Sequence, residues 1–382
     1  MFKALRKPAF RLFRESETHL HELNYLFWEC TTRCNLHCRH CGSDCSKDSA
    51  FPDMPLEDFL AALDTIEKPA NNLTVVLTGG EPLLRKDLEK CGLEIRKRGL
   101  RWSMVTNGHL YDGERHGSLL GAGLGALTIS LDGLSGSHNW LRQSSASYDR
   151  VTRAIALAAA SPRLNFDVVT CVNQNNIHEL PQIRETLMNL GVKAWRLFTI
   201  IPIGRAKDIP ELRLTDAQFT GLMEFIAEAR KSEELKVSFS CEGYVGPYES
   251  LVRDTPFFCR AGINIGSILI DGSISACPNI DRSFTQGNIY RDNFYQVWQS
   301  QFKPFRDRSW MRRGQCAGCS EFNDCRGNGF HNWHGDKQNV LVCHSRLTSN
   351  RQEKPRAIKL SGALRVIPTP PDRSTMRSLL TR

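Results

Sequence analysis

Apolar and polar positions along the first two thirds of the chain follow two rhythms. Short runs rich in β-branched and aromatic residues, at 25–29, 73–77, 101–106, 126–131, 165–171 and 193–199, read as strands. Between them apolar residues recur every three to four positions, as at 56–66 behind Pro55, 86–97 before Gly99 and 177–190 before Gly191. Glycine just past the last periodic residue is a helix stop, because it enters the left-handed region at no steric cost. Six strand–helix alternations in one order predict an α/β fold with a parallel sheet and right-handed crossovers. Residues 215–231 read as a further helix, and from about residue 240 the rhythm breaks. That stretch is rich in Cys, Gly and Asn, with a hairpin signal where Asp271-Gly272 interrupts the alternation at 268–275. The pattern divides the chain into a basic amphipathic segment at 1–22, an α/β core at 23–237, a smaller Cys-rich α+β domain at 238–350 and an aperiodic, flexible tail at 351–382.

With 382 residues, 41% apolar and 24% charged, the chain has material for one large domain and a smaller one. Its net charge of +9 gathers at the ends: Lys3, Arg6, Lys7, Arg11 and Arg14 precede the first acid, Glu15, and cations dominate again after Lys354. Such ends could meet nucleic acid, anionic lipid or acidic peptide, but solvation is the expected state. The second domain carries no basic aromatic stripe, so nucleic acid is not the expected partner. No apolar run approaches the roughly 18–20 residues of a membrane span. No secretory signal is evident either, so the 14 cysteines are read as thiolate–metal chemistry in the cytoplasm rather than as disulfides. An organelle presequence is the competing reading of the apolar face formed by Phe2, Leu5, Phe10 and Phe13, with packing against the core preferred.

Cys34, Cys38 and Cys41 lie in Cys-Asn-Leu-His-Cys-Arg-His-Cys, which sets three thiols on one short loop. Three thiolates can hold three corners of an iron–sulfur cube and leave the fourth iron open to a small molecule. A zinc site completed by His37 or His40 is the alternative, although zinc favours paired Cys-x2-Cys spacing. Together with Gly79-Gly80-Glu81-Pro82 behind the second strand, the loop resembles the radical S-adenosylmethionine (SAM) superfamily over residues 25–199. The resemblance implies an open, partial (β/α)6 barrel, a [4Fe-4S] cluster on Cys34, Cys38 and Cys41, and SAM on the open iron. One electron passed into the sulfonium would release a 5′-deoxyadenosyl radical that abstracts hydrogen from a substrate. A flavodoxin- or ferredoxin-like protein would supply the electron. Where the family often carries an aromatic residue this chain has His40, whose ring can lie against adenine.

The remaining motifs fall at the carboxyl ends of the expected strands, where parallel sheets gather their ligands. Gly79 and Gly80 would let the backbone approach the methionine ammonium and Glu81 would supply a counter-charge, a plain turn being the alternative. Ser130 and Asp132, two apart on a strand, share one face. The resemblance places them near the ribose or sulfonium, with a turn role open for Asp132. Arg142 is expected against the SAM carboxylate, its forked donors suiting that group, or else at the surface. Asn107 is a further binding candidate or a turn residue. No catalytic base is assigned.

Cys259, Gly272-x4-Cys277, Cys316-x2-Cys319-x5-Cys325 and Cys343 resemble the SPASM extension of peptide- and protein-modifying radical SAM enzymes. Cys316, Cys319, Cys325 and Cys343 form a full set for one closed auxiliary cluster, with a zinc ribbon as the alternative. A second auxiliary site would draw on Cys259, Cys277 and a family cysteine replaced here by Gly329. That site is absent, smaller, or completed by His331, His334 or Cys241. Pro278 stands where some maturases place an aspartate base, and the nearest acid is Asp281. Cys30, Cys45, Cys91 and Cys171 are read as packing residues. The expected function is modification of a peptide or protein side chain. The rival is a small-molecule precursor of a haem- or quinone-cofactor pathway, whose enzymes carry sequences similar to Ile-Pro-Ile-Gly-Arg-Ala at 201–206. A zinc-binding nucleic-acid or interaction protein is the reading of another class.

Overall fold

The computed structural model describes residues 2–67, 69–70, 72–240, 242–334 and 338–348, with side chains from residue 7 onward. The predicted tail at 351–382 and Cys241 lie outside the described residues. Seven strands run parallel in chain order: β1 (Tyr25–Thr31), β2 (Thr74–Gly79), β3 (Arg101–Thr106), β4 (Ala126–Ser130), β5 (Asn165–Val172), β6 (Ala194–Thr199) and β7 (Lys236–Phe239). α1 (Phe2–Leu20) precedes the sheet. Along it lie α2 (Leu56–Leu63), α3 (Leu88–Lys97), α4 (Gly113–Gly121), α5 (Ser135–Arg142), α6 (Ser147–Ala159), α7 (Leu180–Asn189) and α8 (Asp216–Ala229). This is the partial barrel expected from the six-unit pattern.

Local chemistry accounts for the elements. On β3, Trp102, Met104 and Thr106 are buried while the intervening residues are less so, the period of two of a half-buried strand. α6 buries Val151, Ala154, Ile155 and Ala158, one stripe at helical spacing. α8 opens with a capping box in which the Thr215 hydroxyl accepts from Gln218 N at 3.2 Å and the Gln218 side chain accepts from Thr215 N at 2.9 Å. Trp28 of β1 stacks on Phe59 of α2 with centroids 4.1 Å apart, fixing that helix on the sheet. β7 escaped the sequence pattern because four residues are too few for a period, and its pairing with β6 fixes it.

On the opposite edge, β8 (Ile265–Ile268) pairs parallel with β1, β9 (Ser273–Ser275) turns back on β8, and β10 (Gly287–Asn288) pairs with β9. The Cys-rich segment therefore enters the same ten-stranded sheet as the core, and Met1–Asn350 is one compact unit. The hairpin read at 268–275 is β8–β9, with Gly272 at φ 80° in its turn.

The basic segment corrects an expectation. Its cations are not all solvated: Arg14 donates from Nη1 and Nη2 to the carbonyls of Asp324 and Asn323 at 2.8 and 2.7 Å. Arg11 and Lys7 bind the Asp324 carboxylate at 2.8 and 3.2 Å. α1 thus docks on the loop that carries Cys325. Among the described residues no helix is long and apolar enough to cross a membrane.

Candidate functional site

The loop after β1 closes on itself, because Cys34 N donates to Ser46 O at 2.8 Å. Cys34, Leu36, Cys38 and Cys45 pack as one buried group, with Cys41 against it. Arg205 staples the loop from the far side of the barrel. Its Nε donates to Cys38 O at 2.8 Å, its Nη1 to Cys45 O at 3.0 Å and to Asp44 at 2.7 Å, and its backbone N to Cys41 O at 3.0 Å. Gly204, at φ 53°, permits this approach: a Cβ there would overlap the Cys41 and Gly42 carbonyls. Arg205 was missed as a site residue, although the segment at 201–206 carried the signal.

The Gly79–Gly80 turn runs against the same loop. A Cβ on either residue would overlap the backbone of Thr31 or Arg33, so both glycines are required by protein packing before any ligand is considered. Glu81 is fully buried. Its Oε1 accepts from Leu83 N at 3.2 Å and Thr106 Oγ1 at 2.8 Å, and its Oε2 from Asn107 N at 2.8 Å. These bonds make it a brace between β2 and β3, and burial pushes its pKa up. Asn107 reaches Asn35 at 2.9 Å and lies 3.9 Å from Cys34 Sγ.

Ser130 ends β4, and Asp132 follows in a buried ion pair with Arg142, whose Nε lies 2.6 Å from Asp132 Oδ2. Arg142 is no surface residue: it is 8% exposed, and its Nη1 stands 3.7 Å from Cys38 Sγ. Burial opposes ionisation of Asp132, but the guanidinium outweighs it and holds the carboxyl below its ordinary value. His40 stands beside this pair, lowered to about 4 by burial, and its buried Nδ1 has no hydrogen-bond partner. Asn35 Nδ2 is likewise buried and unpartnered. Such orphaned polar atoms beside three thiols fit a polar ligand.

Cys41 is shifted down to about 5, first by hydrogen bonding from Cys45. Cys45, packed within the loop, also lines a cavity. That cavity, of about 580 Å³, lies between the cysteine loop and the C-terminal segment. Among the described residues its charged lining is Glu29, Asp44, Asp48 and Asp281 against the cation Arg282. Arg282 is itself engaged by Glu29 at 3.4 Å and Asp271 at 3.1 Å. His331 and His334 complete the wall, His334 Nδ1 lying 2.7 Å from Asp281 Oδ2.

Cys316, Cys319, Cys325 and Cys343 all line one cavity of about 40 Å³. Cys259 and Cys277 do not line it; Cys259 takes the Phe330 N–H at 3.4 Å. Among the described residues, His40, Asp132 and Cys171 are the only three metal-type ligand atoms within 4.8 Å of one another. Neither the loop thiols nor the four-cysteine set gathers three donor sulfurs that closely. His37, an expected zinc donor, is exposed. The donor chemistry fits sulfur-ligated clusters.

Comparison with known proteins agrees. The radical SAM superfamily model matches residues 28–187, and the SPASM iron–sulfur cluster-binding domain model matches residues 259–320. The chain belongs to the radical SAM superfamily and carries a SPASM-type domain. It is 25% identical over 321 residues to an AdoMet-dependent heme synthase of Oleidesulfovibrio alaskensis, covering 78% of this chain and 81% of that one. It is 27% identical over 325 residues to the mycofactocin maturase MftC of Mycolicibacterium smegmatis, covering 84% and 81%. Its fold resembles that of Streptococcus suis SuiB, with TM-score 0.67 at 16% identity over 91% of this chain and 82% of that one. It is an enzyme of the [4Fe-4S]- and SAM-dependent class with auxiliary iron–sulfur binding, which sets aside the zinc-binding nucleic-acid reading.

Proposed function

We propose that this protein cleaves SAM reductively and modifies a peptide or protein side chain. In this reading residues 23–237 form the SAM-cleaving core and 238–350 the auxiliary domain. Cys34, Cys38 and Cys41 hold the first cluster, and Cys316, Cys319, Cys325 and Cys343 an auxiliary one. When bound, cluster and SAM together supply a 5′-deoxyadenosyl radical that takes a hydrogen atom from the substrate. The chain's own task is to position and shield. Gly79, Gly80 and Glu81 shape the turn that faces the SAM amino group, while Asn107, Ser130, Asp132 and Arg142 line the rest of the nucleoside and carboxylate site. The Arg142–Asp132 pair keeps a guanidinium fixed within 3.7 Å of the Cys38 sulfur. A flavodoxin- or ferredoxin-like donor supplies the electron, and the described cysteines, none of them in a disulfide, suit the reducing cytoplasm.

The observation that carries the peptide reading is the acid-lined cavity beside the cysteine loop. A haem-type tetrapyrrole brings several ionised propionates, and an anion of that kind needs cations around it. Among the described residues this cavity offers one arginine, already bound by two carboxylates. The heme synthase relative favours the small-molecule reading, so both substrates belong in the test. Protein reconstituted without air and given dithionite should convert SAM to 5′-deoxyadenosine, and Cys38→Ala should not. Iron coproporphyrin III titrated into the same protein should leave its Soret band unshifted. Stoichiometric porphyrin binding would turn the assignment to the small-molecule class.

A further inference from the structure

The second auxiliary site expected at Cys259 and Cys277 rests on a third ligand at position 329, and the fold leaves no room for one. A Cβ on Gly329 would overlap the Glu242 carbonyl oxygen and stand 2.6 Å from His331 Cε1. The first of these neighbours is not free to yield. The Glu242 carboxylate is bound by Thr199 N and Oγ1, each at 2.6 Å, and its carbonyl faces Asn332 Nδ2 at 3.4 Å. One residue on, a Cβ at Gly243 would overlap Asn328 Oδ1, which takes the Tyr244 N–H at 3.0 Å. Segment 242–244 therefore lies directly on segment 328–329, in the volume where a ligand at 329 would project.

The surroundings of Cys259 are closely packed. Its sulfur takes the Phe330 N–H at 3.4 Å and its carbonyl takes Arg308 Nη2 at 2.8 Å. Phe330 packs on Phe305 and Phe284, centroids 4.2 and 4.8 Å away, and Phe305 and Phe330 are wholly buried. The two histidines that could have replaced the missing cysteine have other positions. His334 holds Asp281, and His331 fills the space that a side chain at 329 would occupy while lining the cavity. The complete set behaves differently, since all four of its cysteines line one small cavity.

We infer that the described residues of this chain build two iron–sulfur centres and no more, and that protein side chains stand where a second auxiliary centre would face the substrate. His331, His334 and Asp281 form that wall. Its groups can exchange protons with a bound substrate but not electrons. The inference rests on the proposed function for the identity of the two centres that remain.

The test is iron and acid-labile sulfide per chain, with Mössbauer spectra, on full-length protein reconstituted without air. Two cubes predict about eight of each. Cys259→Ser, Cys277→Ser and Cys241→Ser should each keep about eight irons, whereas Cys316→Ser should fall to about four. Gly329→Cys should gain no iron and should unfold at lower temperature than the parent. About twelve irons in the parent, with about four lost in Cys259→Ser or His331→Ala, would overturn the inference even if a single variant failed to fold. Eight irons without SAM cleavage would support it and sink the proposed function; twelve irons with SAM cleavage would do the reverse.

Discussion

His138 shows how one enclosed side chain ties the SAM-side residues to pH. Its Nδ1 accepts the Asp132 amide at 3.0 Å, so its Nε2 carries the proton and donates to Ser147 Oγ at 2.9 Å. Burial lowers its pKa to about 3. An unfolded imidazole titrates near 6.5, so between those values the unfolded chain binds a proton that the folded chain refuses. Stability is therefore fully present above about pH 6.5 and falls as the pH drops toward 3, by up to about 1.4 kcal/mol per unit from this residue. Thermal unfolding between pH 5 and 7 should show a shallower acid-side decline in His138→Gln than in the parent; parallel declines would reject the assignment. Gly80 makes a second point at this scale. The motif singled it out, but for a ligand's approach, whereas its missing side chain first admits the Arg33 carbonyl. Gly80→Ala should cost more than about 2 kcal/mol in a denaturant melt.

At the scale of elements, the cysteine loop is held less by its own turns than by a segment more than 160 residues away, after β6. Arg205→Ala would leave the Cys38 and Cys45 carbonyls without their charged donor, each such bond being worth roughly 1.5–3 kcal/mol. The expected result is loss of the first-site iron, roughly half the total, while the auxiliary iron stays. Arg205→Lys should not rescue it, because one ammonium cannot span the carbonyls and Asp44 together. Retention of all iron in both variants would count against the staple. The hydrophobic rhythm revealed the strands that bear the site, since their periods are local. It missed β7, whose four residues are ordered by pairing with β6 rather than by a period of their own.

Across the whole molecule, α1 and the Cys-rich segment are one mechanical unit. Arg14, Arg11 and Lys7 converge on Asn323 and Asp324, next to Cys325, a ligand in the proposed auxiliary site. Arg14→Ala should make the auxiliary iron more labile to a chelator and leave the first-site iron unchanged, read by loss of absorbance over time. What the chain's order of residues determined alone was the donor inventory and the alternation of elements. Thiols four and three residues apart on one loop, and apolar positions at periods of two and 3.6, act over a few covalent bonds and need no distant partner. Only the tertiary structure decided who stands beside whom. It put β8 on β1, Arg205 on the cysteine loop, the Glu242 carbonyl on Gly329, and four carboxylates around one cavity. Those contacts join residues tens to hundreds of positions apart, and packing, not spacing, fixes them.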